Sequence, residues 1–269
     1  MGFSVFSLSD YFSWSGWMLV VFILARGHFA SACMTLYLHR SQTHQSVKFA
    51  GWLDHFFRFF TWFLMATRTK EWVAIHRKHH VEVDKYKDPH SPRFFGLPTV
   101  FFLGWRLYQE ESHKEETLRL YGTGAPNDWV ENNLYTPHKY WGIFILLALD
   151  LLVFGWWGLL TWGCQMIWIP FWAAGVVNGL GHYPSLLVGY RNYNTEDEST
   201  NIMPLAMWPL GFVVWVFTCG EGLHNNHHDK KTSARLSGKW WEFDPGWLYI
   251  VVLKKFGLAR LRTAPVVTA

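Results

Sequence analysis

The run from Trp141 to Tyr190 constrains this chain most, because fifty residues hold a single formally charged side chain, Asp150. An α-helix needs about 20 apolar residues to cross the hydrocarbon of a bilayer. The run therefore has room for two crossings, and Gly155-Trp156-Trp157-Gly158 offers a hairpin between them. Spans are expected at about 141–156 and 158–179. A third is expected at about 13–38, where Arg26 and His28 are the ionisable residues. Three other apolar stretches read differently. Residues 50–67 carry Asp54, His55 and Arg58, which suits a helix lying at the interface. Residues 203–218 are interrupted by Pro204 and Pro209. Residues 245–258 end in Lys254 and Lys255, again an interfacial pattern. No Lys or Arg precedes Arg26, so the basic start of a secretory signal is not expected.

Composition agrees with a mixture of spans and polar matter. Charged residues make up 16% of the chain, against roughly 25% in soluble domains. Aromatic residues make up 19%, yet the mean hydropathy is only +0.03. A disordered or low-complexity chain is excluded, and the composition argues against an ordinary soluble domain. A net charge of +4 gives no argument for nucleic acid. Cys33, Cys164 and Cys219 are odd in number and sit in apolar surroundings, so no disulfide framework is expected. Of the 24 Lys and Arg, Arg26 alone falls in an expected span and 14 fall between residues 39 and 140. The positive-inside tendency then puts 39–140 and 191–269 in the cytoplasm. The expectation is one all-α domain over 1–269: an integral membrane protein with three to four transmembrane helices and a cytoplasmic helical cap. Arg26, His28 and Asp150 are ionisable groups within the expected spans and so functional candidates; the plainer reading is an Arg–Asp pair, or snorkelling toward water.

The fourteen histidines are clustered rather than scattered. His39 and His44 follow the first span. His76, His79 and His80 form a second cluster, and His224, His227 and His228 a third; His182 ends the third span, four residues after Asn178. Residues at i, i+3 and i+4 of an α-helix share a face, so each triplet can converge. His39 and His44 lie about 140° apart round an α-helix, so they serve two metals or the helix ends between them. Nine imidazoles exceed what one ion can use and suit two ions close together. No cysteine accompanies them, which disfavours a soft-metal or closed structural zinc site. A nitrogen-rich two-metal site beside a bilayer points to iron and oxygen chemistry on a lipid.

At these residues the sequence resembles the membrane fatty acyl desaturases, in the stearoyl-CoA-desaturase-like branch. The family pattern HxxxxH, HxxHH, HxxHH with an extra Asn-x-x-x-His reads here as HRSQTH (39–44), HRKHH (76–80), HNNHH (224–228) and NGLGH (178–182). The surroundings EWVAIHRKHH, DPHSP, GYRNY and GEGLHNNHH are also similar, and the resemblance covers about residues 20–230. It implies that His39, His44, His76, His79, His80, His182, His224, His227 and His228 ligate two irons, with Asn178 holding a water. Zinc can replace iron in overexpressed protein. No catalytic residue beyond these ligands is implied. The implied reaction inserts a cis double bond, most often at carbon 9, into a long-chain acyl-CoA or acyl-lipid, consuming O2 and electrons. An unactivated methylene offers no acidity to a side chain, so a metal cofactor must carry that step. The electrons would come from a separate donor of ferredoxin, rubredoxin or cytochrome b5 type, with the enzyme in the bacterial inner membrane and its active site on the cytoplasmic face. Asp88, His90 and Glu221, beside the boxes, are candidates for orienting ligand imidazoles. His28, His55, His113 and His138 are read as structural or surface residues. Lys230, Lys231 and Arg235 are read as a solvated basic face, or as partners of an anionic lipid. The family usually has four spans and three are legible here, which leaves the N-terminal orientation open. A di-iron lipid or alkyl hydroxylase is the alternative reading. A non-catalytic metal-binding membrane protein fits less well, because the spans lack the polar residues of a path.

Overall fold

The structure, a computed structural model, describes residues 15–185, 187–203 and 208–262. The expected start of the first span at residue 13, Pro204, and the last residues of the expected cytoplasmic segment (263–269) lie outside the described residues. Helix α1 (Gly16–Cys33) runs on without a break into a π-helix (Met34–Thr43). Helix α2 (Gly51–Met65) packs back against it, and α3 (Thr69–Glu82), α4 (Pro92–Phe95), α5 (Leu97–Ser112) and α6 (Glu115–Tyr121) follow. After a short π turn at Glu131–Tyr135 come α7 (Trp141–Phe154) and α8 (Trp157–Ile169), and α8 continues as a second π-helix (Pro170–Leu180). Helices α9 (Trp208–Phe217), α10 (His224–Asp229) and α11 (Pro245–Lys255) complete a mostly helical chain. Strand β1 (Val47–Phe49) pairs antiparallel with β4 (Ala259–Leu261), and β2 (Gly189–Tyr190) with β3 (Asn201–Ile202).

Two helices, Gly16–Thr43 and Trp157–Leu180, are long and apolar enough to cross a membrane. Trp141–Phe154 is apolar but shorter. The hairpin falls at the glycines. Gly155 has φ +59, which costs other residues but not glycine. A Cβ at Gly158 would collide with the Asp150 carbonyl, so α7 and α8 close tightly there. Arg26, partly buried, donates from Nη1 to both Asp150 carboxylate oxygens at 2.7 and 2.8 Å, while Thr161 Oγ1 donates to Asp150 Oδ2 at 2.8 Å. One ion pair thus ties α1, α7 and α8 together, and of the readings open for these charges the Arg–Asp pair is the one found.

Helix α2 turns Trp52, Phe56 and Phe59 outward and buries Leu53, Phe57 and Trp62. That two-faced pattern, and not a uniformly apolar one, is what its sequence carries. Its Arg58 is nevertheless buried, donating to Asp128 at 2.8 and 3.2 Å. The main core joins the first π-helix, α2 and α11 through Leu36, Tyr37, Leu38, Phe49, Phe57 and Ile250. All three cysteines are free.

Candidate metal centre

The nine box histidines come together in two adjoining groups. His39, His44, His76, His80 and His227 form one, and His79, His182, His224 and His228 the other. Within each group one ring nitrogen per residue lies within 4.8 Å of all the others. The groups touch: the His80 and His228 rings are 4.6 Å apart and His79 and His80 5.4 Å. Eight of the nine side chains are buried, and His76 is partly buried.

Two details of this partition were left open by the spacing. His39 and His44 join the same group, with ring centroids 4.6 Å apart. The cause is the π-helix, whose i→i+5 hydrogen bond from His44 N to His39 O (3.0 Å) stacks residues five apart. Each HxxHH triplet, in contrast, divides. His76 and His80 join His227, while His224 and His228 join His79. A shared helix face is about 100° wide, and with two facing helices its edges point to different centres.

Other residues of the same motifs bring the boxes together. Arg40, fully buried, donates to Asp244 (2.8 and 3.3 Å), Ala234 O (2.7 Å) and Cys219 O (3.2 Å), which pins the first box to the chain around the third. Arg77 Nη2 donates to Gln42 O at 2.9 Å and joins the second box to the first. Helix α10 has six residues and could not hold itself together. Asn225 Oδ1 accepts from Asn192 N and Tyr193 N at 2.9 Å each. Asn226 Oδ1 accepts from Asn192 Nδ2 (2.8 Å) and Asn201 Nδ2 (2.9 Å), while its Nδ2 donates to Leu236 O (3.0 Å) and Glu242 Oε2 (2.8 Å). The two asparagines of HNNHH therefore fasten the helix that carries the histidines.

Four carboxylates face the outer ring nitrogens. His79 Nδ1 is 3.0 Å from Asp88 Oδ2, His182 Nδ1 3.1 Å from Asp84 Oδ2, and His228 Nδ1 2.9 Å from Asp197 Oδ2. His39 Nδ1 lies 3.0 Å from Glu221 Oε1, and Thr35 Oγ1 donates to the same oxygen. Burial raises each of these acids, but the imidazole partner outweighs it and holds all four below the usual carboxylate range. An acid facing Nδ1 accepts from that side of the ring and turns Nε2 inward. Burial keeps His44, His76, His80, His224, His227 and His228 well below their ordinary value, hence neutral at pH 7. His182 is the exception: burial lowers it, but Asp84 raises it more.

These inward nitrogens fit a cation. The Nε2 atoms of His39 and His227 are 3.1 Å apart, His44 and His76 3.2 Å, His76 and His80 3.0 Å, His80 and His227 2.9 Å, and His182 and His224 2.9 Å. Two imidazoles bound at about 2.1 Å to one ion, at right angles, would place their nitrogens about 3 Å apart. The buried Nε2 atoms of His79 and His228 have no hydrogen-bond partner. Nitrogens this close need a shared proton or a shared cation between them, and buried polar atoms without partners, such as His79 and His228 Nε2, are costly.

Of the residues expected beside the boxes, Asp88 and Glu221 face ligand imidazoles. His90 packs its ring 4.4 Å from His79, and burial lowers it to about 3. Asp84 and Asp197 were not legible as site residues: Asp84 is 98 residues from its partner and no local motif marks either. The remaining histidines lie outside both groups. His28 contacts Tyr249 Oη at 2.5 Å, His55 Nδ1 faces Arg58 at 2.8 Å, His113 Nδ1 donates to Gln109 O at 2.6 Å, and the His138 carbonyl accepts from Trp62 Nε1 at 2.9 Å. Lys231 Nζ donates to His80 O at 3.2 Å, Lys230 Nζ to Tyr193 Oη at 2.9 Å, and Arg235 Nε to Ser237 Oγ at 2.8 Å.

A cavity of about 580 Å³ opens onto both groups. His39, His76, His224 and Asn178 form its metal-side wall, and Trp72, Ile75, Phe102, Trp105, Met166, Ile167 and Val177 are among its apolar residues. An apolar slot ending on clustered imidazoles is built for a hydrocarbon chain.

The family described as "Fatty acid desaturase" matches residues 15–234. The chain belongs to the fatty acid desaturase family. It is 33% identical to a sn-1 stearoyl-lipid 9-desaturase of Anabaena variabilis, over 84% of this chain and 76% of that protein. It is 33% identical to an acyl-CoA 5-desaturase of Anemone leveillei, over 92% and 72%. It is 30% identical to the Delta-9 acyl-lipid desaturase 1 of Arabidopsis thaliana, over 84% and 69%. This desaturase is therefore an oxidoreductase acting on a fatty acyl substrate, and its helices are compatible with membrane association.

Proposed function

We propose that this desaturase inserts a cis double bond at carbon 9 of a long acyl chain, using O2 and two irons. The observation that carries the reading is the pair of inward-facing nitrogen groups at the wall of an apolar cavity. His39, His44, His76, His80 and His227 would hold one ion. His79, His182, His224 and His228 would hold the other, with a water between it and Asn178. Nitrogen-rich donor sets suit iron and also zinc, so overexpressed protein can carry zinc. Bound irons supply the redox chemistry that breaks an unactivated methylene C–H bond, which no acid or base in this chain could attack.

The chain's own residues do the rest. Asp84, Asp88 and Asp197 hold the Nδ1 protons and fix the ring orientations, and Glu221 sets a negative charge beside His39 Nδ1. Ile75, Trp72 and Val177 exclude water around one stretch of the acyl chain and hold it beside the imidazoles. Selectivity for one C–C bond follows from depth in the slot. We further propose three spans within one domain of residues 1–269 (13–38, 141–156 and 158–179). The histidine boxes would lie on the cytoplasmic face of a bacterial inner membrane and be served by a separate electron donor of ferredoxin, rubredoxin or cytochrome b5 type.

The test is expression in a host lacking unsaturated fatty acids, with mass spectrometry of the lipids and metal analysis of the purified protein. An alkene at carbon 9 and two metals per chain are expected. An alcohol in its place would assign the chain to the hydroxylases, and a single metal held by three or four of these histidines would sink the two-ion site.

A further inference from the structure

We propose that the acyl carrier is a membrane glycerophospholipid that enters sideways from the bilayer, its chain passing between α5 and α8 and its phosphate held in a basic pocket beside Tyr140. The inference rests on the desaturase reading above and names the substrate class of the same site.

The first observation is a side opening at membrane depth. Phe102, Trp105 and Ile167 line the metal-side cavity, yet they are 72%, 53% and 64% exposed. Their outer surfaces therefore lie on the flank of the molecule while their inner surfaces face the slot. Ile167 is ten residues along the helix that starts at Trp157. At 1.5 Å per residue it lies about 15 Å from the hairpin, inside a hydrocarbon layer about 30 Å thick. Ile143, also on the cavity wall, lies at a similar distance from the hairpin along α7. A slot open to its flank at that depth faces lipid tails. A soluble acyl thioester would reach the slot from water and would need no such opening.

The second observation is independent and concerns charge. A separate cavity of about 660 Å³ has Arg68, Glu71, Lys139 and Tyr140 among its lining residues. Tyr140 also lines the acyl slot, and its hydroxyl approaches Gln109 Oε1, another slot residue, at 3.5 Å. The two cavities therefore adjoin across Tyr140. Lys139 Nζ is 2.9 Å from Glu71 Oε2 and Arg68 Nη2 is 3.2 Å from Glu71 Oε1. Two fixed cations in the lining share one carboxylate, which leaves a positive charge for a phosphodiester. The pocket sits where α7 begins, beside the 62% exposed Trp141, an interfacial residue type at the polar end of an apolar hairpin. Phosphate at the headgroup level and chain in the slot is the geometry of a lipid still seated in its leaflet.

The experiment uses the full chain, zinc-loaded, in nanodiscs. Three probes carry a diazirine at mid-chain: a phosphatidylglycerol, the matching diacylglycerol and the matching acyl-CoA. Cross-linked residues are then mapped by mass spectrometry. Phosphatidylglycerol should label the deep slot residues Ile75 and Val177, and unlabelled phosphatidylglycerol, but not acyl-CoA, should compete. The diacylglycerol should label them about tenfold less, the loss expected for one charge-assisted contact. Arg68→Gln should erase that difference. Ile167→Trp should lower deep labelling by both lipids, while the lipid-facing Val20 stays labelled and bound zinc is unchanged. If acyl-CoA labels the deep residues as well as or better than phosphatidylglycerol, the lipid carrier is wrong and the desaturase reading stands. If no probe reaches Ile75 or Val177, the slot does not hold substrate and the proposed function falls with the inference.

Discussion

At the scale of single residues, the histidines divide by what their inner nitrogen meets. Replacing any one of the nine box histidines by Ala should abolish desaturation while the protein still inserts, because each supplies one nitrogen of a group of five or four. His113→Ala and His138→Ala should keep most activity. His113 bonds only to the Gln109 carbonyl on its own helix, and His138 engages Trp62 through its main chain. A parallel activity series tests that contrast, and a dead His113→Ala would break the assignment. The carboxylates give a second test. Asp197→Asn should lower metal affinity by roughly 10–100-fold, since the amide no longer fixes Nδ1–H on His228. Equilibrium dialysis against zinc would measure it, and unchanged affinity would leave Asp197 a purely structural role. Asp84→Asn should act in the same way through His182.

At the scale of elements, two helices owe their function to irregular winding. The π-helix Met34–Thr43 brings His44 back over His39. Inserting an alanine after Ser41 would put His44 six residues beyond His39, a spacing that neither α- nor π-winding stacks on one face, and should swing it away from the group. Metal analysis should then fall from two ions per chain toward one, with the four-histidine group retained. The hairpin offers a different measurement. Arg26→Leu leaves Asp150 buried against Thr161 without its cation, and should destabilise by about 3–5 kcal/mol. The double variant Arg26→Leu/Asp150→Leu should recover most of that loss in a thermal-melt comparison. If the double variant is no better than the single one, the pair is not what joins α1 to α7 and α8.

At the scale of the molecule, the histidine groups constrain topology. First-, second- and third-box side chains meet in one centre, so the segments carrying them lie on one side of any membrane the chain crosses. Helix α2, between the first and second boxes, therefore does not cross. Cysteines placed at the exposed positions 55 and 156 should be labelled from opposite faces, position 55 from the cytoplasm. Labelling of both from the same face would refute the three-span arrangement. The same centre also explains why a buried arginine belongs to the first box. Arg40 reaches Asp244, Ala234 and Cys219, residues remote in the chain, and holds the two ends of the cap to the base of the first helix.

Much of this was legible in the sequence, because it depends on short periodicities and on charge. Uninterrupted apolar runs could do little but form long helices, and the Gly155–Gly158 segment marked their hairpin. The charges of 50–67 kept that stretch from spanning, and the Arg26–Asp150 pair was the economical answer to two opposite charges in apolar helices. The His spacing pointed to two ions without any coordinates. The tertiary structure decided which histidine serves which group, because a π-turn changes the face on which His44 emerges and the meeting of two helices divides each triplet. It also decided the outer partners: Asp84 and Asp197 act through contacts 98 and 31 residues away, a distance that no local pattern encodes. The side opening of the slot and the pocket beside Tyr140 belong to the same class. They exist only where residues from several helices meet, and a one-dimensional pattern records the composition of each helix but not the gap between them.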